Sequence, residues 1–226
     1  GVAFTQLIRP GSPQLYGQFM VTVDMKTGAP MGGTPEAAQM MFVMGALARK
    51  YNLPWRTSGF HVGSKINDAQ AGSESNILMH AANGPGANCI WHVAGWLEAG
   101  LCCGYSKFVT DAEQLQGWYK YAQGPSFDDF KEAMAAIREV GPAGHFLGTK
   151  HTLEHFENAF FIPSVMDFNS FEQWSAEGAK DHDTRGRVKA AAMLAAYEEP
   201  ALEQGIADGL KDFIARRESE LPNTVS

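Results

Sequence analysis

The feature that most constrains this chain is an alternation. Apolar runs at residues 15–23, 55–60 and 87–93 recur about every thirty-five residues, and an amphipathic helical pattern fills each gap. Strand, helix and strand in that rhythm are βαβ units. Two strands joined by a helical crossover lie parallel, so a parallel sheet follows.

The first gap opens with Thr34-Pro35-Glu36: a hydroxyl to cap free amides, a proline where no amide is needed, and an acid at the positive helix end. Ala37, Met40, Met41, Met44, Leu47, Ala48 and Tyr51 then repeat at helical spacing, so one face is buried. Asn52-Leu53-Pro54 stops that helix. The second gap is capped at Asn67 or Asp68 and runs to about Ala82, with Ala71, Ile77, Leu78 and Ala81 inward, until Asn83-Gly84-Pro85-Gly86 breaks it. The third apolar run is nearly continuous, as a strand buried on both faces should be. Residues 26–33, 61–67 and 94–107 read as loops. Thr110-Asp111-Ala112-Glu113 has the form of a capping box that opens another helix. Residues 127–140 form a further helix, and the glycine-rich turn 141–148 hides a short strand over 144–147. Beyond residue 149 the patterns are helical only, at 151–160, 171–178, 183–197 and 202–217.

Three firm strands and one weak one do not close a full barrel, which needs eight strands and typically ~250 residues. They fit an α/β half of a TIM (β/α)8-type barrel, with residues 1–148 as its βα units and 149–226 as a helical C-terminal region packed on it in one structural domain. Such a half has two open sheet edges and an uncovered inner face. The expectation is therefore a part of a longer protein, consistent with Gly1 at the start, or a homo-oligomer.

Composition narrows the partners. Lys and Arg number 18 against 25 Asp and Glu, a formal charge of −7, with no basic run. Phosphate binding relies on clustered positive charge, so neither nucleic acid nor an anionic membrane surface is the expected partner. No segment reads as a signal peptide or a bilayer span. Three cysteines, two of them adjacent (Cys102, Cys103), make no disulfide framework, and a reducing, cytoplasmic setting follows.

Gly84-Pro85-Gly86 lies between a helix and a strand, the wrong order for a dinucleotide loop, and residues 28–33 lack the Lys-Ser/Thr of a P-loop. No G-x-S-x-G nucleophile elbow occurs. His151 and His155 stand four apart on one helix with His145 nearby, a spacing that can hold a transition metal but also fits a surface helix with partly buried imidazoles; no metal is assigned. A richer cluster follows the strands, where barrel active sites are built. Phe60, His61, Lys65, Asp68 and Gln70 come after the second strand, and His92, Trp96 and Glu98 after the third. Rings beside a few polar groups suit a quaternary or tertiary ammonium, each contact contributing ~0.5–2 kcal/mol. The same residues also fit a core ring, a solvated lysine and a helix cap.

The segments Asp68-Ala69-Gln70-Ala71-Gly72-Ser73-Glu74, Gly95-Trp96-Leu97-Glu98-Ala99-Gly100-Leu101 and Ile137-Arg138-Glu139-Val140-Gly141-Pro142-Ala143-Gly144-His145-Phe146-Leu147-Gly148, with His151-Thr152-Leu153, resemble the trimethylamine methyltransferase superfamily, in the right order along nearly the whole chain. The resemblance implies a barrel of about twice this length, of which this is the C-terminal half. It also implies a methyl group moved from an amine to the Co(I) of a corrinoid carried by a cognate protein, with no tightly bound cofactor of its own. Members acting on trimethylamine carry pyrrolysine just before the Asp-Ala-Gln motif. Here residues 64–67 are ordinary ones, which favours a glycine-betaine-like substrate. In that reading His92 binds a carboxylate, Trp96 and Phe60 line the cation pocket, and Glu98, Asp68 and Gln70 shape its floor. Two other readings stand beside it: a metal-dependent TIM-barrel hydrolase using His145, His151 and His155, and a non-catalytic substrate-binding or assembly fragment.

Overall fold

The computed structural model describes residues 1–17 and 19–221. In chain order the elements are α1 (Val2–Ile8), β1 (Tyr16–Gly17), β2 (Thr22–Val23), β3 (Pro30–Met31), α2 (Pro35–Lys50), β4 (Trp55–Ser58), α3 (Ala69–Asn83), β5 (Cys89–Trp91), β6 (Trp96–Leu97), β7 (Cys102–Cys103), α4 (Tyr105–Gln123), α5 (Phe130–Val140), α6 (Lys150–His155), α7 (Phe171–Ala176), α8 (His182–Ala195) and α9 (Gln204–Glu220). The class is α/β. β1, β4 and β5 form one parallel sheet in that order, in the register Tyr16↔Trp55, Arg56↔Cys89, Thr57↔Ile90 and Ser58↔Trp91. The helices α2 and α3 are its two crossovers, and all three strands therefore end on the same side.

Small residues bring these layers together. Ala37, Ala38, Met41 and Ala48 of α2, Trp55 of β4, and Leu78, Ala81 and Ala82 of α3 form one buried cluster, with Tyr16 and Ile90 against it. Gly45 shows how close the approach is: a Cβ there would sit 2.6 Å from the Pro85 ring and 3.0 Å from the Trp55 indole. The caps work as their chemistry predicts. Thr34 Oγ1 accepts from the Ala37 amide (3.3 Å) and Asp68 Oδ1 from the Ala71 amide (3.0 Å).

Several expectations are corrected. The run 15–23 holds two short strands, β1 and β2, and β2 pairs not with the parallel sheet but antiparallel with β3, inside what reads as a loop. A second antiparallel pair, β6–β7, lies in the expected loop 94–107. Residues 144–147 form no strand; their side chains are exposed and an exposed run has no sheet to join. Thr110-Asp111-Ala112-Glu113 opens no helix, since α4 begins five residues earlier and the side chains of Thr110, Asp111 and Glu113 are buried. Glu113 instead accepts the amides of Ser164, Val165 (2.7 Å) and Met166 (2.7 Å), so its carboxylate caps a distant loop.

The chain divides into two compact units, Gly1–Ala191 and Ala192–Ser226, so the first continues well beyond residue 148. Within it, Val109, Val165 and Ala190 share a buried cluster. The second unit consists mainly of α9, whose last turns carry Arg217–Glu220 and Arg216–Glu220 ion pairs. Among the described residues, no helix is long and apolar enough to cross a membrane. The three cysteines are unpaired with one another.

Candidate functional site

Each parallel strand delivers a ring at or just beyond its carboxyl end. Phe19 follows β1, His61 follows β4 and His92 follows β5. The three converge: Phe19–His61 ring centroids lie 5.0 Å apart, Phe19–His92 5.4 Å and His61–His92 5.9 Å. Trp96, on β6, adds a fourth ring 5.7 Å from His92. His61 is buried, His92 and Trp96 are half-buried, and Phe19 is exposed, so the cluster is open on one side. The crevice beyond the carboxyl ends of parallel strands is where α/β folds place ligands.

The backbone that holds these rings is tightly tied. After β4, the Gly63 and Ser64 amides donate to Glu74 of α3 (2.6 and 3.1 Å), while the Ser64 and Val62 carbonyls accept from Glu98 (2.8 Å) and Ala99 (2.7 Å). Glu98, Ala99 and Gly100 all have positive φ, at 49°, 51° and 92°. Two consecutive non-glycine residues in that region cost of order 1–3 kcal/mol each and persist only where the surroundings impose them. The turn brings Gly100 against the His61 ring, where a Cβ would lie 2.4 Å from Nε2. On the other side Gly32 touches the His61 carbonyl so closely that a Cβ would lie 2.1 Å from it. Two glycines thus bracket one histidine. His92 also has positive φ (52°), and its Nδ1 lies 3.3 Å from Ser58 Oγ.

Trp96 is placed from beneath. The Gly95 amide donates to Asp111 Oδ2 (2.9 Å), and Asp111 pairs with Lys107 in an ion pair whose side chains are each 2% exposed. Lys107 Nζ also donates to Ser75 Oγ (3.1 Å) and lies 5.6 Å from the Phe60 ring centroid. Burial pushes the Asp111 carboxyl up to about 6, against the pull of Lys107, and pushes the Lys107 ammonium down.

The surroundings of both site imidazoles favour the neutral ring. Burial lowers the His61 pKa, with repulsion from His92 adding to it; burial also lowers that of His92, with the Arg56 guanidinium adding to it. Arg56 itself stacks 4.1 Å from the Trp91 ring centroid. Neutral rings offer a π face to a cation, whereas an imidazolium would repel it. Cation binding is therefore expected to stay level from pH 8 to 7 and to fall as the pH drops through the lowered histidine values, below 6.5. Titration calorimetry with glycine betaine across that range checks this; affinity that rises on acidification would contradict it.

The family model described as trimethylamine methyltransferase (MTTB) matches residues 1–222. The chain belongs to this family. It is similar to a glycine betaine methyltransferase of Desulfitobacterium hafniense (strain Y51), 36% identical over 98% of this chain and 46% of that protein. It is also similar to the trimethylamine methyltransferase MttB of Desulfitobacterium hafniense (strain DSM 10664 / DCB-2), 33% identical over 97% of this chain and 44% of that one. A third relative, the trimethylamine methyltransferase MttB of Methanosarcina thermophila, is 30% identical over 95% of this chain. The chain spans less than half the length of these curated relatives.

Of the residues read from sequence in this family member, the structure brings His61, His92 and Trp96 together. Phe60 does not face the opening: it is fully buried, with its ring under Lys107. Lys65 is exposed and donates to the Gly63 carbonyl (2.8 Å); Asp68 serves as the α3 cap and also accepts from Ser64 Oγ (2.9 Å). Gln70 is exposed and bonds Glu74 (2.7 Å). Glu98 is half-buried, and its carboxylate accepts from the Cys102 thiol (3.4 Å). Sequence reasoning missed Phe19, Glu74, Gly32, Gly100 and the Lys107–Asp111 pair. His151 and His155 meet as their spacing predicts, but their third neighbour is Asp129, while His145 is exposed in the loop after α5.

Proposed function

We propose that the ring cluster holds the onium group of a quaternary amine of glycine-betaine type and presents one methyl group for transfer. The observation that carries this reading is the convergence of Phe19, His61, His92 and Trp96 at the carboxyl ends of the parallel strands, where burial lowers the pKa of both imidazoles. A quaternary nitrogen has no N–H, so aromatic faces suit it better than hydrogen-bond acceptors do. Membership in the trimethylamine methyltransferase family supports transfer chemistry, and one relative bears the name of glycine betaine.

In this reading Phe19 and Trp96 contact the cationic head, His61 forms the wall between them, and His92 donates from Nε2 to the carboxylate at the other end. Loss of a methyl group from a quaternary ammonium leaves a neutral amine, so the site needs no proton donor. The acceptor is the cobalt of a reduced corrinoid carried by a partner protein, which supplies the nucleophile and makes an attacking side chain unnecessary. The chain's own residues desolvate and align the amine. The strand order β1-β4-β5, running one way without a reversal, supports a segment of a (β/α)8-type barrel. The remaining strands of the mouth come from the rest of a longer protein or from a second copy of the chain.

The chain incubated with glycine betaine and chemically reduced cobalamin is expected to yield methylcobalamin and dimethylglycine in equal amounts. Absence of both products with every quaternary amine tried, while cobalt stays reduced, overturns transfer by this chain. Its span of less than half its relatives favours a second reading, in which these residues bind the amine but do not transfer from it. Betaine binding without any dimethylglycine separates the two.

A further inference from the structure

A second group of chemically able side chains lies on elements that contribute nothing to the ring cluster. Asp129 immediately precedes α5, and His151 and His155 stand one turn apart on α6. His151 Nε2 lies 2.8 Å from Asp129 Oδ2, and the two imidazole centroids are 4.7 Å apart. One ligand atom from each of the three residues lies within 4.8 Å of the others. The helix that carries the histidines is fixed by Thr149, a buried cap whose Oγ1 accepts from the Thr152 amide (3.3 Å) and donates to the Phe146 carbonyl (2.9 Å). The side chains of His151 and Asp129 remain 27% and 43% exposed, so an ion can reach them.

We propose that Asp129, His151 and His155 form a binding site for a divalent transition metal, with zinc the ion they suit best. Two imidazole nitrogens and one carboxylate oxygen are ligands of borderline softness, which zinc accepts, whereas calcium and magnesium call for oxygen alone. Zinc bonds of about 2.0–2.2 Å in a tetrahedron place ligand atoms a little over 3 Å apart. The Asp129–His151 hydrogen bond must open slightly and His155 must swing in, both within reach of side-chain rotation on half-exposed residues. Three protein ligands leave a fourth position for water. Bound there, the metal ties the start of α5 to α6. Nothing in this site depends on the amine reading.

Zinc is titrated into the whole chain in competition with a chromophoric chelator, beside the variants His155→Ala, Asp129→Asn and His145→Ala. One zinc per chain is expected, with affinity at least tenfold weaker in His155→Ala and Asp129→Asn and unchanged in His145→Ala. Histidine-ring NMR of the unsubstituted chain provides a readout independent of variant folding: zinc should move the His151 and His155 signals first. Unchanged affinity in both ligand variants, an equal loss in His145→Ala, no stoichiometric zinc at micromolar concentration, or first shifts at His61 and His92 would each overturn the proposal.

Discussion

Replacing Lys107 with methionine is expected to destabilise the chain by ~3–5 kcal/mol in urea unfolding at pH 7. The side chain is 2% exposed and its ammonium meets Asp111, Ser75 Oγ and the face of Phe60. Removing it strands the Asp111 carboxylate in the interior with only the Gly95 amide and no counter-charge. The pH dependence has a definite sign. The folded-state pKa of Asp111 is raised to about 6 from 3.8. The stabilisation linked to its raised pKa is therefore fully present below 3.8 and is lost as the pH rises through about 6. Without Lys107 the carboxyl titrates higher still. The variant should thus lose less stability at pH 5, where Asp111 is protonated, than at pH 7. A double variant, Lys107→Met with Asp111→Leu, should recover most of the loss, because apolar residues of similar size replace a buried pair at little cost. It should nevertheless bind betaine poorly, since the Gly95 amide that sets the position of Trp96 then lacks its acceptor. Equal losses at pH 5 and 7 would show that the ion pair is not the source of the effect.

Gly100→Ala should reduce betaine affinity at least tenfold while costing only about 1–2 kcal/mol of stability. The new methyl group would lie 2.4 Å from His61 Nε2, the far end of a side chain that can rotate, so the ring moves out of the cluster and the fold survives. The backbone at φ 92° adds modest strain. Gly32→Ala provides the contrast. Its methyl group would meet the His61 carbonyl and the backbone of Val62 and Gly63, none of which can rotate away, so loss of stability should dominate. Comparing calorimetric binding with urea unfolding for the two variants separates a displaced ring from a displaced chain. If Gly100→Ala binds betaine normally, His61 is not part of the site.

What was readable from sequence follows the range of the interactions involved. Helices α2 and α3 could be read because Thr34 and Asp68 cap them through contacts three residues away. The same local logic failed at Thr110-Asp111-Ala112-Glu113, where the capping pattern is present but Asp111 bonds Gly95 and Glu113 bonds Ser164, Val165 and Met166. Phe19 lies inside an apolar run that reads as one strand, whereas β1 ends at Gly17 and Phe19 lies beyond it, its ring against His61. Phe60 adjoins His61 in sequence and so reads as a pocket ring, but its side chain is fully buried, with Lys107 Nζ 5.6 Å from its ring centroid. The His151–His155 pair was visible as helical spacing, whereas Asp129 joins it only through the packing of α5 on α6.

The central claim is that these rings bind a charge and not merely a shape. It is tested most directly by titration calorimetry of the chain with glycine betaine and with 3,3-dimethylbutanoate, which keeps the carboxylate and the three methyl groups but replaces the cationic nitrogen with carbon. The account predicts measurable binding of betaine, at least tenfold weaker binding of the analogue that lacks the cationic head, and loss of that preference in Trp96→Leu. Equal affinity for the two ligands, or a preference for betaine that survives Trp96→Leu, would contradict it.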